Sequence, residues 1–140
     1  MKIEQNPENT KIVIDTYAWI EYFRGSAEGK KAANFIDDEF TLLTPAIVIA
    51  ELSDKFRRSG LSRIWEDERI IFIGVKSEII SIDQSIADRA GKIKLERRIQ
   101  FKDFGLGDAL VLAVAEQYNA KLLTGDKHLK TEKITIDITK

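Results

Sequence analysis

Lys11-Ile12-Val13-Ile14-Asp15-Thr16 is the stretch on which the fold is read. Three β-favouring apolar residues run on without alternation and end in a carboxylate. An unbroken apolar run of this kind predicts a strand buried on both faces, the central strand of a parallel sheet. In open α/β sheets, ligands bind outside the carboxyl ends of the strands, and Asp15 stands at that end. An Asp there has two readings. It is the N-cap of the helix that opens Tyr17-Ala18-Trp19-Ile20, or it is a site residue. The choice turns on whether other carboxylates reach the same edge.

Outward from this strand, helices and strands alternate. Residues 1–10 read as a tail or short leading loop. The helix from Thr16 ends near Gly25, and Ser26 caps a second helix containing Ala33, Phe35 and Ile36. Asp37-Asp38-Glu39 reads as a solvated turn. Residues 40–44 predict a second strand. Pro45 then opens a helix over 46–58 that stops at Gly60. Its first turns are apolar except for Glu51. Glu51 is therefore either a site residue or part of an exposed stripe with Asp54, Lys55 and Arg58, in which Asp54 and Arg58 are spaced to pair. Residues 62–72 predict another helix, although 69–75 also read as a strand. A third strand is expected over 78–82. Asp83 reads as the cap of a helix over 84–98, with Asp88 and Lys92 as a surface pair. The segment 92–102 carries five basic residues and one acid. A solvated face is its first reading and phosphate contact its second. After Gly105 and Gly107, the helix from Asp108 is apolar all round and so buried. A negative charge at its start suits the helix dipole. Residues 121–124 form a fourth strand, closed by Gly125-Asp126. Residues 134–138 form a fifth, alternating, edge strand.

Strands separated by helices, without a hairpin signal, indicate an α/β domain with a parallel sheet. Its length of 140 residues suits one domain, 1–140. With no cysteine there is no disulfide, thiolate zinc site or thiol nucleophile. With one histidine, a metal would be held by oxygen, which suits Mg²⁺ or Mn²⁺. Net charge is -1, so nucleic acid must meet a local patch rather than a global positive field. The absence of a membrane-length apolar stretch and of a signal-peptide pattern gives a cytoplasmic reading with no membrane partner. No glycine-rich phosphate loop is present, which argues against an NTPase.

Crossover geometry then answers the question posed by Asp15. Helices that follow strands start at the carboxyl edge, and helices that precede strands end at the amino edge. Asp15 and Asp126 therefore lie at the carboxyl edge. Glu51 lies in the second turn of a helix leaving it, and Asp108 begins a helix that starts there. Four acids from four segments converge. Their repulsion is relieved by a divalent cation, and the chemistry this supports is phosphodiester hydrolysis.

In these residues the chain resembles the PIN-domain nucleases, and among them the VapC-type toxins of toxin–antitoxin pairs. The resemblance is carried by Ile14-Asp15-Thr16 with Trp19-Ile20, by Thr44-Pro45 and Ala50-Glu51-Leu52, by Gly107-Asp108-Ala109, and by Leu123-Thr124-Gly125-Asp126-Lys127-His128-Leu129. It covers about residues 11 to 138. It implies a three-layer domain with a five-stranded sheet ordered 3-2-1-4-5. It also implies Mg²⁺- or Mn²⁺-dependent endoribonuclease activity, an RNA substrate, a homodimer and a small antitoxin partner. Asp15, Glu51, Asp108 and Asp126 match the family's acidic positions, and Thr16 and Thr124 match hydroxyl positions that help order them. Gly107 departs from the serine or other small residue of many members. Basic residues of 92–102, with Arg24, are expected to guide the RNA backbone, and His128 is an incidental surface residue or an acid. Three other readings stay open: a housekeeping RNA-processing nuclease of the same fold, a silent RNA-binding PIN-like module, and a phospho-acceptor receiver domain. The last matches poorly, because Asp83 fits an N-cap at least as well as an acceptor.

Overall fold

This computed structural model describes residues 10–140, so the leading tail expected over 1–10 lies, Thr10 apart, outside the described residues. The central strand, β1 (Lys11–Ile14), has Ile12, Val13 and Ile14 fully enclosed. That is the double-sided burial its unbroken apolar run requires. β2 (Thr41–Pro45) and β4 (Lys121–Thr124) pair with it on either side. β3 (Glu78–Ile80) and β5 (Thr135–Asp137) form the edges. All four pairings are parallel, and the order is β3-β2-β1-β4-β5, as the resemblance implies.

Helices flank this sheet. α1 (Thr16–Arg24) starts at Asp15, whose carboxylate accepts from the Ala18 amide, and ends at Gly25 with φ 65°. Glycine reaches that left-handed conformation without a Cβ penalty. Ser26 caps α2 (Ala27–Ile36) by accepting from the Gly29 amide. α2 passes so close to α1 that a Cβ on Gly29 would lie 1.8 Å from the Glu21 carbonyl oxygen. α3 (Ala46–Arg58) leaves directly from Pro45. α6 (Gln84–Arg97) is capped by Asp83, which accepts from the Ile86 amide. The Asp83 carboxylate is thus used as a cap, as its position indicates. α7 (Leu106–Gln117) begins two residues before Asp108 and buries Ala109 and Val111 to Ala115.

Several boundaries differ from expectation. The third and fifth strands are three residues each rather than five. Residues 69–75 are helical, not a strand: α4 (Ser62–Ile64) runs through a π-helical turn (Trp65–Arg69) into α5 (Ile70–Lys76). The reason lies in the burial pattern. Trp65 and Ile73 are buried and Arg69 half-buried, a stripe at four-residue spacing, while Ile71 and Val75 face outward. The apolar run is thus one inward stripe and one exposed face. Trp65 stacks on Phe56 with centroids 5.5 Å apart, and the Arg69 guanidinium lies 4.7 Å from the Phe23 ring centroid.

A buried polar chain locks this side of the sheet. Trp19 Nε1 donates to Thr44 Oγ1 at 3.2 Å, Thr44 and Ser77 hydroxyls share a bond of 2.7 Å, and Ser77 donates to the Ile73 carbonyl at 2.8 Å. These bonds tie α1 to the end of β2 and to the end of α5. The carboxyl ends of β1 and β4, the two central strands, are left side by side, where ligands are received in sheets of this kind.

Candidate metal centre

At that edge a cleft of about 360 Å³ is lined by Asp15, Glu51, Asp108 and Asp126, with Thr16, Tyr17 and Ile20. The four acids come from four segments. Asp15 follows β1, Asp126 follows β4, Glu51 lies in the second turn of α3, and Asp108 in the first turn of α7. Asp15 is the N-cap that one of its readings gave, and it also lines this cleft. It caps α1 with Oδ1, 2.9 Å from the Ala18 amide, and its other oxygen accepts from the Thr124 hydroxyl. Thr124 Oγ1 in turn accepts from the Asp126 amide at 3.0 Å, so one hydroxyl links two of the acids. Thr16 donates to Glu51 Oε1 at 2.5 Å.

Glu51 lines the cleft together with the stripe it was read as sharing. The stripe it shares with Asp54, Lys55 and Arg58 borders the cleft. Arg58 pairs with Asp54 at 2.9 Å. This stripe places cations beside the acids; the basic segment 92–102 was read first as a solvated face and, by resemblance, as a guide for the RNA backbone. Within that segment Arg97 is held by Glu132 at 2.8 Å and Lys92 meets Asp88 at 3.7 Å, so part of its charge is neutralised. Arg24 is held by Glu21 at 3.1 Å. The signal that finds Lys55 and Arg58 in the sequence is their spacing of four and seven residues from Glu51 on one helix face.

Two glycines make room. A Cβ on Gly107 would stand 2.7 Å from Glu51 Oε2, and one on Gly125 would stand 2.4 Å from the Tyr17 ring. Gly107, the departure from the family pattern, lets α7 approach α3 with the Glu51 carboxylate between them.

His128 also enters the site. Its amide donates to Asp126 Oδ1 at 2.8 Å, and its Nδ1 lies 3.5 Å from Asp108 and 3.6 Å from Asp126. Asp103 stands 3.0 Å from Nε2.

The PIN domain family matches residues 12–132. The chain belongs to that family. Solved structures share the fold. A toxin–antitoxin complex from Klebsiella pneumoniae superposes with a TM-score of 0.71 at 22% identity, covering 91% of this chain and 97% of that one. VapBC2 from Rickettsia felis, bound to a DNA fragment from its promoter, gives 0.71 at 20% identity over 91% and 96%. VapC20 from Mycobacterium tuberculosis, a sarcin-ricin loop cleaving toxin, gives 0.67 at 16% identity over 83% and 90%. Comparison with curated proteins finds no match.

In this PIN domain, the acids strain one another. Asp15 is 4% exposed, and its pKa is pushed up to about 7. Burial is the main cause, resisted by the bonds from Thr124 and Ala18 and reinforced by the charges of Asp126 and Asp108. Asp108 is pushed up to about 6, by burial and then by Asp126, with His128 opposing and Glu51 adding. The donor set suits a hard divalent cation: carboxylates converging on one cleft, in a cluster where Asp108, Asp126 and His128 place ligand atoms within 4.8 Å of one another. A cation there would oppose both upward shifts, because its charge favours the ionised carboxylates.

The sign of the pH dependence follows. A carboxyl with a raised folded pKa favours folding while the folded form holds the proton and the unfolded form does not. Without metal, stability should fall as pH rises from about 4 to about 7, the interval between the ordinary carboxylate value and that of Asp15. Asp126→Asn removes one repelling charge. Melted in EDTA at neutral pH, it should exceed the parent in stability by about 1–3 kcal/mol and gain less from added Mg²⁺. A variant that melts no higher in EDTA and gains as much from Mg²⁺ would show that the acids are not one site.

Gly107→Ala separates fold from site. Alanine favours a helix over glycine by about 1 kcal/mol, and the crowded atom is the end of a flexible side chain. The variant should melt no more than about 1 kcal/mol below the parent while nuclease activity falls at least about tenfold as Glu51 is displaced. Parental activity would place Glu51 outside the chemistry.

Proposed function

We propose that this chain is a divalent-metal-dependent endoribonuclease of the VapC type, the toxin of a toxin–antitoxin pair. The observation that carries the reading is the convergence of Asp15, Glu51, Asp108 and Asp126 on one cleft bordered by Lys55 and Arg58. Asp15, Asp108 and Asp126 would hold Mg²⁺ or Mn²⁺, with Glu51 as a further ligand. The bound ion supplies charge neutralisation at the phosphoryl oxygens and activation of water.

The chain's own residues do the rest. Thr124 fixes the Asp15 carboxylate and the Asp126 backbone, and Thr16 fixes Glu51, so the ligands are ordered before a cation arrives. Lys55 and Arg58 offer phosphate contacts beside the acids rather than across the protein. Tyr17 presents a ring at the mouth of the cleft, held by its hydroxyl bond of 2.8 Å to Glu28. The same acids serve a housekeeping RNA-processing nuclease equally well; the toxin reading is favoured by the toxin–antitoxin complexes among its structural neighbours. Those complexes also support a small antitoxin partner for this chain.

A homodimer is supported by the outward face of α5 and the β3 edge, where Ile71 is 56%, Val75 83% and Ile79 41% exposed. Apolar groups gathered on an edge strand and its neighbouring helix are the usual content of an isologous interface. No helix among the described residues is long and apolar enough to cross a membrane.

The activity test uses an RNA hairpin with a single-stranded loop and the matching DNA. RNA alone should be cut, with Mg²⁺ or Mn²⁺ and not in EDTA. Asp15→Asn and Asp108→Asn should each lower the rate by about two orders of magnitude or more with the fold intact by circular dichroism. Parental rates in both would refute the site. For assembly, light scattering at tens of micromolar should give a dimer, roughly in the range where obligate interfaces stay closed, and Val75→Glu should give a monomer. A monomeric parent would refute the interface.

A further inference from the structure

We propose that His128 is a nitrogen ligand of the cation held by Asp108 and Asp126, oriented by Asp103, and that it makes the site prefer a first-row transition ion such as Mn²⁺ over Mg²⁺. The inference rests on the metal-site reading above and adds to it a donor of a different kind.

The sole histidine of the chain is held from three directions. Its backbone amide donates to the Asp126 carboxylate, in a turn that carries the side chain back over that acid. Its ring packs on Phe101, centroids 5.1 Å apart and nearly edge-on, and on the buried Phe104 at 6.0 Å. Its Nε2 lies 3.0 Å from Asp103. A carboxylate only accepts, so Nε2 donates in that bond, which leaves Nδ1 as the ring nitrogen turned to the acids. The side chain is 12% exposed, far from the free surface residue that its loop position indicates.

Nδ1 therefore faces the site. It stands 3.5 Å from Asp108 Oδ2 and 3.6 Å from Asp126 Oδ1. Both distances exceed an ordinary N–H···O bond of about 2.7–3.2 Å. Nearly equal separation of Nδ1 from two carboxylates, at more than ordinary hydrogen-bond length from each, is the placement of a third donor around a shared ion. The three ligand atoms lie within 4.8 Å of one another. A carboxylate that accepts from the far nitrogen of a metal-binding imidazole is a recurrent device, because it sets the tautomer and aims the ring. Mg²⁺ is served by oxygen and sheds water reluctantly, whereas imidazole raises affinity for transition ions. A site with one nitrogen thus discriminates where a site of carboxylates alone does not.

One histidine also makes the test specific. Tag-free protein grown with ¹⁵N-imidazole histidine, loaded with Mn²⁺ and measured by electron spin-echo modulation, should show a directly bound nitrogen whose signal changes between ¹⁴N and ¹⁵N. Calorimetry should show His128→Asn weakening Mn²⁺ by about tenfold or more and Mg²⁺ by no more than about threefold, with melting in EDTA near that of the parent. Asp103→Asn should weaken Mn²⁺ by less than His128→Asn does. Mn²⁺ bound without nitrogen coupling overturns the proposal and leaves the carboxylate site standing. Equal losses for Mn²⁺ and Mg²⁺ in His128→Asn overturn the selectivity. A parent that binds no Mn²⁺ overturns both this proposal and the metal-site reading. Should His128→Asn fail to fold, the labelled parent decides alone.

Discussion

The hydroxyl of Thr124 donates to the carboxylate of Asp15 across the junction of β1 and β4, and the site is built on that bond. Asp15 is nearly buried, so its charge is costly there unless it is answered. Two answers come from the fold. The α1 amide at Ala18 and the Thr124 hydroxyl together satisfy both oxygens of the carboxylate. They are not enough. The pKa is still driven up to about 7, because two neutral donors do not replace water around an anion that also faces Asp126 and Asp108. The remaining deficit is one that a divalent cation would answer. Ile12, Val13 and Ile14, enclosed on both faces, keep β1 from moving to relieve it.

The same logic extends one layer out. Glu51 reaches the cleft only because Gly107 has no side chain and because Thr16 accepts the task of holding the carboxylate. α3 then does two jobs along one stripe. Its second turn supplies an acid, and its next two turns supply Lys55 and Arg58. Two acids, Glu51 and Asp54, are followed by two bases along a helix face that would otherwise be an ordinary solvated surface. Such a surface stabilises little by itself, since exposed pairs such as Arg58 with Asp54 are worth at most about 1 kcal/mol. Its arrangement at the cleft rather than its energy is the notable property.

Much of this was legible in the sequence, for identifiable reasons. The double-sided run Ile12–Ile14 marks a central parallel strand, and the caps Asp15, Ser26 and Asp83 mark helix starts that the structure places within a residue. Crossover geometry alone brings Asp15, Glu51, Asp108 and Asp126 to one edge. What escaped depends on contacts between segments distant in the chain. Residues 69–75 present apolar side chains on two faces, and only packing shows which face is inward. Arg97 looks free beside other bases until Glu132, 35 positions on, folds against it. His128 looks incidental because Asp103 and Phe101 lie 25 and 27 positions away in the sequence and adjacent in space.

Charge distribution explains how a chain with net charge -1 can serve the proposed reaction. A metal-free cleft lined by four acids repels a phosphate backbone, and Lys55 and Arg58 at its border are too few to reverse the local sign while Asp54 occupies one of them. Screening does not help at contact distances, which are shorter than a Debye length of about 8 Å. A divalent cation would offset two of the carboxylate charges, and the same two bases would then be placed to contact phosphate beside the acids. On the proposed reading, a cation in the cleft would favour the approach of the phosphate backbone by lowering the local negative charge.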